Sequence, residues 1–140
     1  MKVALKKSRH NTIAVNQHFK GVINAEDFTA NQFSISRKDG KLTITGSKVD
    51  ENGVKHEVRV SFPETLDTSV IHLLELNREI QLTYSVFDEL EPVLVYGDAG
   101  ELAFITLDPS NTRVEGSFRD VRTRDDGNPV YTMAALFKLG

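Results

Sequence analysis

The chain has 140 residues, 39% of them hydrophobic and 26% charged, with no cysteine and a formal net charge of −3. That length suits one domain (1–140) with its own core. The lack of cysteine excludes disulfides, thiolate zinc sites, iron–sulfur clusters and cysteine nucleophiles.

The charge is uneven along the chain. Residues 1–60 carry eleven Lys/Arg against six Asp/Glu, and residues 61–140 carry six against fourteen. Met1–His10 is basic with no apolar stretch behind it, so residues 1–11 read as a flexible, solvated arm and not as a secretory leader. No run approaches the roughly 20 apolar residues of a membrane helix, no membrane partner is expected, and the expected compartment is the cytoplasm.

Thr12–Val15 reads as a short strand, and Gly21–Ile23 with Phe28–Ala30 as another, interrupted at Asn24–Asp27. From there the punctuation becomes regular. Gln32–Ser36 alternates with Phe33 and Ile35 inward, Asp39-Gly40 turns the chain, and Leu42–Thr45 alternates as far as Gly46. Such Asp-Gly or Asn-Gly pairs mark tight hairpins, because both central residues need positive φ. Asn52-Gly53 repeats the device before Val54–Phe62, which Pro63 ends. Glu64–Asn77 mixes helical spacing with a β-branched run, which predicts a loop with at most one short helix near 65–77. A strand at Glu79–Val86 puts Ile80, Leu82 and Tyr84 on one face. An acidic loop at Asp88–Pro92 and a short strand at Val93–Tyr96 follow.

Gly97–Phe118 is the stretch on which the rest is organised. Glu101–Leu107 is apolar on both sides of its pleat, with Leu102 and Phe104 against Ala103, Ile105 and Leu107. This predicts cover on both faces, at least at one end of each. Asp108-Pro109-Ser110-Asn111 is a β-turn with proline presetting φ. In Arg113–Phe118, Val114, Gly116 and Phe118 share an inward face, and the glycine predicts a large aromatic ring crossing its backbone. Val121 is out of phase with Phe118, which predicts a bulge. Asp125–Asn128 turns the chain into a last strand, Val130–Leu139. The result is an all-β antiparallel meander of about eight or nine strands, either an up-and-down, lipocalin-like barrel or a two-layer sandwich.

The strands Gly40–Gly46, Gly100–Thr106, Arg113–Phe118 and Ala135–Leu139 resemble those of small bacterial all-β proteins of unknown function, common as surface lipoproteins in Bacteroidetes. The resemblance covers about residues 28–139. It implies an all-β meander and carries no active-site residues. The chain departs from the pattern in having no glycine before Phe137 and no lipidated cysteine, so a surface location is not implied.

Chemistry is sparse. His10, His18, His56 and His72 have no i,i+2 or i,i+4 pairing and no carboxylate at ligand spacing, and they read as surface histidines with no metal. Asp88, Glu89 and Glu91 lack the pattern of a calcium loop. No Gly-x-Ser-x-Gly turn or phosphate-cradling glycine loop occurs, so neither a cofactor nor an enzyme is expected. Arg113, Arg119 and Arg122 read as cross-strand ion pairs or as a surface for an anion or partner. No aromatics interleave with the basic N-terminal residues, which argues against nucleic acid.

Two functions remain. One is a binding or protein-interaction module, with an edge strand available for a homodimer. The other is a lipocalin-like carrier of a small apolar ligand. Tyr84, Tyr96, Phe104, Gly116, Phe118, Tyr131 and Phe137 would line its interior, and Ala103, Ala134 and Ala135 would leave room beside Gly116.

Overall fold

The computed structural model describes residues 17–140; the arm at 1–11 and the strand expected at Thr12–Val15 lie outside the described residues. The strands are β1 (His18–Ile23), β2 (Glu26–Thr29), β3 (Gln32–Lys38), β4 (Lys41–Val49), β5 (Lys55–Pro63), β6 (His72–Leu73), β7 (Gln81–Phe87), β8 (Val93–Asp108), β9 (Arg113–Thr123) and β10 (Thr132–Leu139). All pairings are antiparallel, in the order β2-β1-β10-β9-β8-β7-β5-β4-β3, with β6 added beside β8. The expected all-β antiparallel meander is present as one ten-stranded sheet curled into a half-barrel. No helix among the described residues is long and apolar enough to cross a membrane.

Local chemistry accounts for most of the turns. Asp39 and Gly40 both have positive φ, 53° and 78°, as a two-residue hairpin requires. At Asn52-Gly53 only the glycine does, at 80°. That connection is instead organised by Asp50, whose Oδ1 accepts from the backbone N–H of Asn52 at 2.8 Å and of Val54 at 3.0 Å. The segment expected as one interrupted strand is the β1–β2 hairpin. It turns through Asn24 and Ala25, at φ 51° and 65°, and Asn24 is tied down by Thr132, whose N–H reaches its Oδ1 at 2.8 Å.

Two expectations change and two stand. The strand at Val93–Tyr96 does not stop at Gly97–Gly100, because β8 runs unbroken for 16 residues. Its first part pairs with β7 and its later part with β9 and β6, with register shifts around Ala99, so these residues bend the strand that joins the two halves of the sheet. Residues 65–77 form the loop expected there, with turns and the two-residue β6 and without a helix. In Glu101–Leu107, Leu102 and Phe104 are buried and Ile105 is 75% exposed, while the register shift between Phe104 and Thr106 brings Leu107, expected on the Ile105 face, against the core. The expected bulge is present, with Asp120 at φ 54° and a register shift between Met133 and Ala135.

The interior is closed by aromatics that need glycine opposite them. Phe19 lies 6.0–6.2 Å, ring to ring, from Phe28, Phe118 and Phe137. It also lies flat on Gly46 of β4, where a Cβ would come within 2.5 Å of the ring. Gly46 therefore does not end a strand; it lets β1 and β4 meet across the interior. Gly116 is opposite Phe137 on β10 and Phe104 on β8. A Cβ there would sit 2.3 Å from the Ala103 carbonyl oxygen and 3.0 Å from Phe137 Cζ. The aromatic predicted over Gly116 is Phe137.

Candidate functional site

Antiparallel alternation brings the β1–β2, β4–β5, β7–β8 and β9–β10 connections to one end of the half-barrel. A cleft of about 300 Å³ opens there. Its apolar walls are Ile23, Phe28, Tyr84 and Tyr131, and its polar groups are Asn24, Glu26, Asp27, Lys48, Asp50 and His56. That volume is at the small end of ligand sites, and the mixture of aromatic wall and a few polar groups is what such sites use.

Each polar group is held by an identifiable element. Asp50 closes the β4–β5 connection through Oδ1, which leaves Oδ2 to meet His56 Nε2 at 2.9 Å. The other ring nitrogen, Nδ1, meets the Tyr84 hydroxyl at 2.8 Å. The carboxylate can only accept when ionised, so Nε2 carries the proton. In a neutral imidazole Nδ1 then accepts from the tyrosine O–H. Asp50, His56 and Tyr84 thus form one directed chain of hydrogen bonds from the β4–β5 connection across β5 to β7. The hydrogen bond from His56, followed by the backbone N–H groups, holds the Asp50 carboxyl below its ordinary value. Burial, then the neighbouring Tyr131 and the carboxylates of Glu26 and Asp50, push the Tyr84 hydroxyl up to about 12. Asp50 is therefore an anion and Tyr84 a neutral phenol at ordinary pH.

Lys48 stands on β4 as the cross-strand partner of His56. Its ammonium donates to the Asp27 carbonyl oxygen at 3.2 Å and sits 5.5 Å from the centre of the Phe28 ring. The surrounding end is acidic. Glu51, Asp88, Glu89, Glu91, Asp125 and Asp126 lie in its connections, against Lys55, Arg122 and Arg124 besides Lys48. Among the described residues no group of three or more His, Asp and Glu side chains converges as a metal site would require.

Of the residues expected to line an interior pocket, Phe104, Gly116, Phe118 and Phe137 are together but packed in the core. Tyr84 and Tyr131 stand at the cleft with ring centres 5.3 Å apart. Tyr96 joins neither group; it points outward, and the Arg124 guanidinium lies 5.2 Å above its ring. Arg113, Arg119 and Arg122 are spread along β9. At 3.2–3.4 Å per residue the outer two stand about 30 Å apart, and Arg119 is bonded to Glu101 at 3.1 Å. His10 lies outside the described residues.

Sequence reasoning missed Asp50 and Lys48, and read His56 as a surface histidine. Its partners are six residues back and 28 ahead, outside the spacings that mark helical or strand-local sites. The only signal was the Asn52-Gly53 turn, since a hairpin connection folds a residue just before it onto one just after it. A larger trough, about 650 Å³, crosses the outer face of β1, β10 and β9 over Gly21, Ser117 and Ala134. It lacks such a bonded cluster and is the weaker candidate. Compared with protein-family models, with curated proteins and with solved structures, the chain finds no match.

Proposed function

We propose that this chain is a non-catalytic binding module that takes a small polar ligand in the end cleft. The observation that carries this reading is the hydrogen-bonded chain Asp50–His56–Tyr84 at an open cleft that Phe28 and Tyr131, the latter packed on Tyr84, also line. A fixed row of polar groups beside aromatic walls orients a ligand without needing to react with it. A binding role also fits Tyr84: general acid–base work favours a group whose proton affinity lies near working pH, and its hydroxyl is pushed to about 12. An apolar ligand inside the barrel is disfavoured, because Phe19, Phe62, Phe118 and Phe137 already fill that volume.

The test is a fragment set of small polar and aromatic compounds, titrated into the isotopically labelled protein and followed by amide shifts. Shifts should gather at residues 23–28, 48–56, 84 and 131. Shifts gathered around Phe104, Phe118 and Phe137 would instead support the interior carrier and overturn the cleft.

A second reading has one observation behind it. β3 pairs with β4 on one side and ends the sheet on the other, leaving the edge of a seven-residue strand for a partner or a second copy. Sedimentation that gives a monomer at all concentrations would remove the homodimer form of this reading.

A further inference from the structure

The position of Lys48 says more about the ligand. Phe28 is only 2% exposed, although it stands at the wall of an open cleft. The side chain on it is Lys48, whose ammonium lies 5.5 Å from the ring centre and bonds the Asp27 carbonyl oxygen. An ammonium attracted to an aromatic face and capped by a carbonyl is the arrangement by which proteins hold organic cations. The other groups facing the same space favour that charge too: Asp50 is held ionised, and Glu26 lines the cleft. Anions would meet these carboxylates directly, and a neutral ligand would gain hydrogen bonds from them but no charge attraction.

We infer that the cleft is a site for a small organic ammonium ion, and that Lys48 is its resident occupant, displaced when the ligand enters. This rests on the cleft being the binding site. Lys48 is half-buried and tethered at the end of β4, so it can swing off Phe28 toward solvent while the strand stays in place. A resident cation keeps the ring covered and the carboxylates screened while no ligand is bound. It also weakens binding by the free energy of its own contacts, since the ligand must replace them.

The experiment titrates choline and its neutral isostere 3,3-dimethyl-1-butanol, with acetate as the anionic probe, into wild-type protein and two variants. Binding is read from the signals of His56, Tyr84 and Tyr131. Lys48→Ala uncovers the ring, whereas Lys48→Met removes the charge and keeps the ring covered. Choline should bind wild type about tenfold more tightly than the isostere, the worth of a cation over an aromatic ring. Lys48→Ala should gain about a further tenfold for choline, and Lys48→Met about twofold from the removed charge alone.

Equal gains in the two variants would overturn displacement. Equal affinity for choline and the isostere in wild type would overturn the cation site, and that comparison needs no variant to fold. If the isostere or acetate shifts the cleft signals and choline does not, the cation inference falls and the binding cleft stands. If no probe shifts them, both fall.

Discussion

Two aromatic groups face inward from the same curled sheet, and they differ in their neighbours. Around Gly116, the rings of Phe104, Phe118 and Phe137 lie among apolar side chains and on bare backbone, and the space is closed. At the end of the half-barrel the rings of Tyr84 and Tyr131 lie 5.3 Å apart, but their surroundings are His56, Asp50 and Glu26, and the space is open. Aromatic content on an inward face therefore does not distinguish a core from a site. What distinguishes them is whether the pairing strands bring glycine or a charged turn to the far side of the ring.

The largest expected effect separates the two regions outright. Gly116→Val puts a branched side chain where the first carbon already meets the Ala103 carbonyl, and should cost about 3 kcal/mol by urea denaturation. A loss under about 0.5 kcal/mol would mean that the interior has slack and that the closed region is less closed than its geometry.

A smaller loss is expected at the open end. Tyr84→Phe removes the donor to His56 Nδ1 and keeps the ring, so it should cost about 1 kcal/mol, the worth of one hydrogen bond. A loss as large as that of Gly116→Val would make the hydrogen-bonded chain a structural element and not a binding surface.

The smallest effects lie in pH dependence. Because the folded Asp50 carboxyl lies below its ordinary 3.8, its contribution is fully present above that value and is lost as pH falls through the lowered one. Asp50→Asn should flatten the acid side of a stability profile. Tyr84 works in the opposite direction: raised from 10.0 to about 12, it contributes below pH 10 and is lost as pH rises toward 12. Tyr84→Phe should remove that alkaline loss. Denaturation midpoints measured across pH check both signs: an unchanged acid side in Asp50→Asn would detach Asp50 from its bond to His56, and an unchanged alkaline side in Tyr84→Phe would mean that burial does not hold the Tyr84 hydroxyl neutral.

Much of the architecture was legible because strand signals are local. The alternation of Leu42–Thr45, the Asp39-Gly40 turn and the phase slip at Val121 all report on residues within a few positions, and the glycine at 116 marked a close approach without naming the ring that makes it. The β1–β2 hairpin was not legible, because Ala25 is held at positive φ without a glycine, next to an Asn24 bonded to Thr132 more than a hundred residues away. Nor was the continuity of β8, since Gly97–Gly100 looks like a turn until two different strands pair with either side of it. Of the cleft, Tyr84 and Tyr131 were expected to face inward. Asp50 and His56 were passed over, because their bond depends on how the β4–β5 connection closes.

The charge pattern divides the same way. The sequence alone determined that basic residues gather before position 60 and acidic ones after it, and that disulfide and thiolate chemistry is absent. Four of the basic residues, Lys2, Lys6, Lys7 and Arg9, lie outside the described residues. Among the rest, antiparallel pairing carries acidic turns from both halves of the chain to one end. Strand formation depends on short-range pattern, and so it can be read from the chain. Which loops share an end depends on the order in which the strands pair, a long-range property that only the folded sheet decides, and it is at that shared end that Asp50, His56, Tyr84 and Lys48 meet.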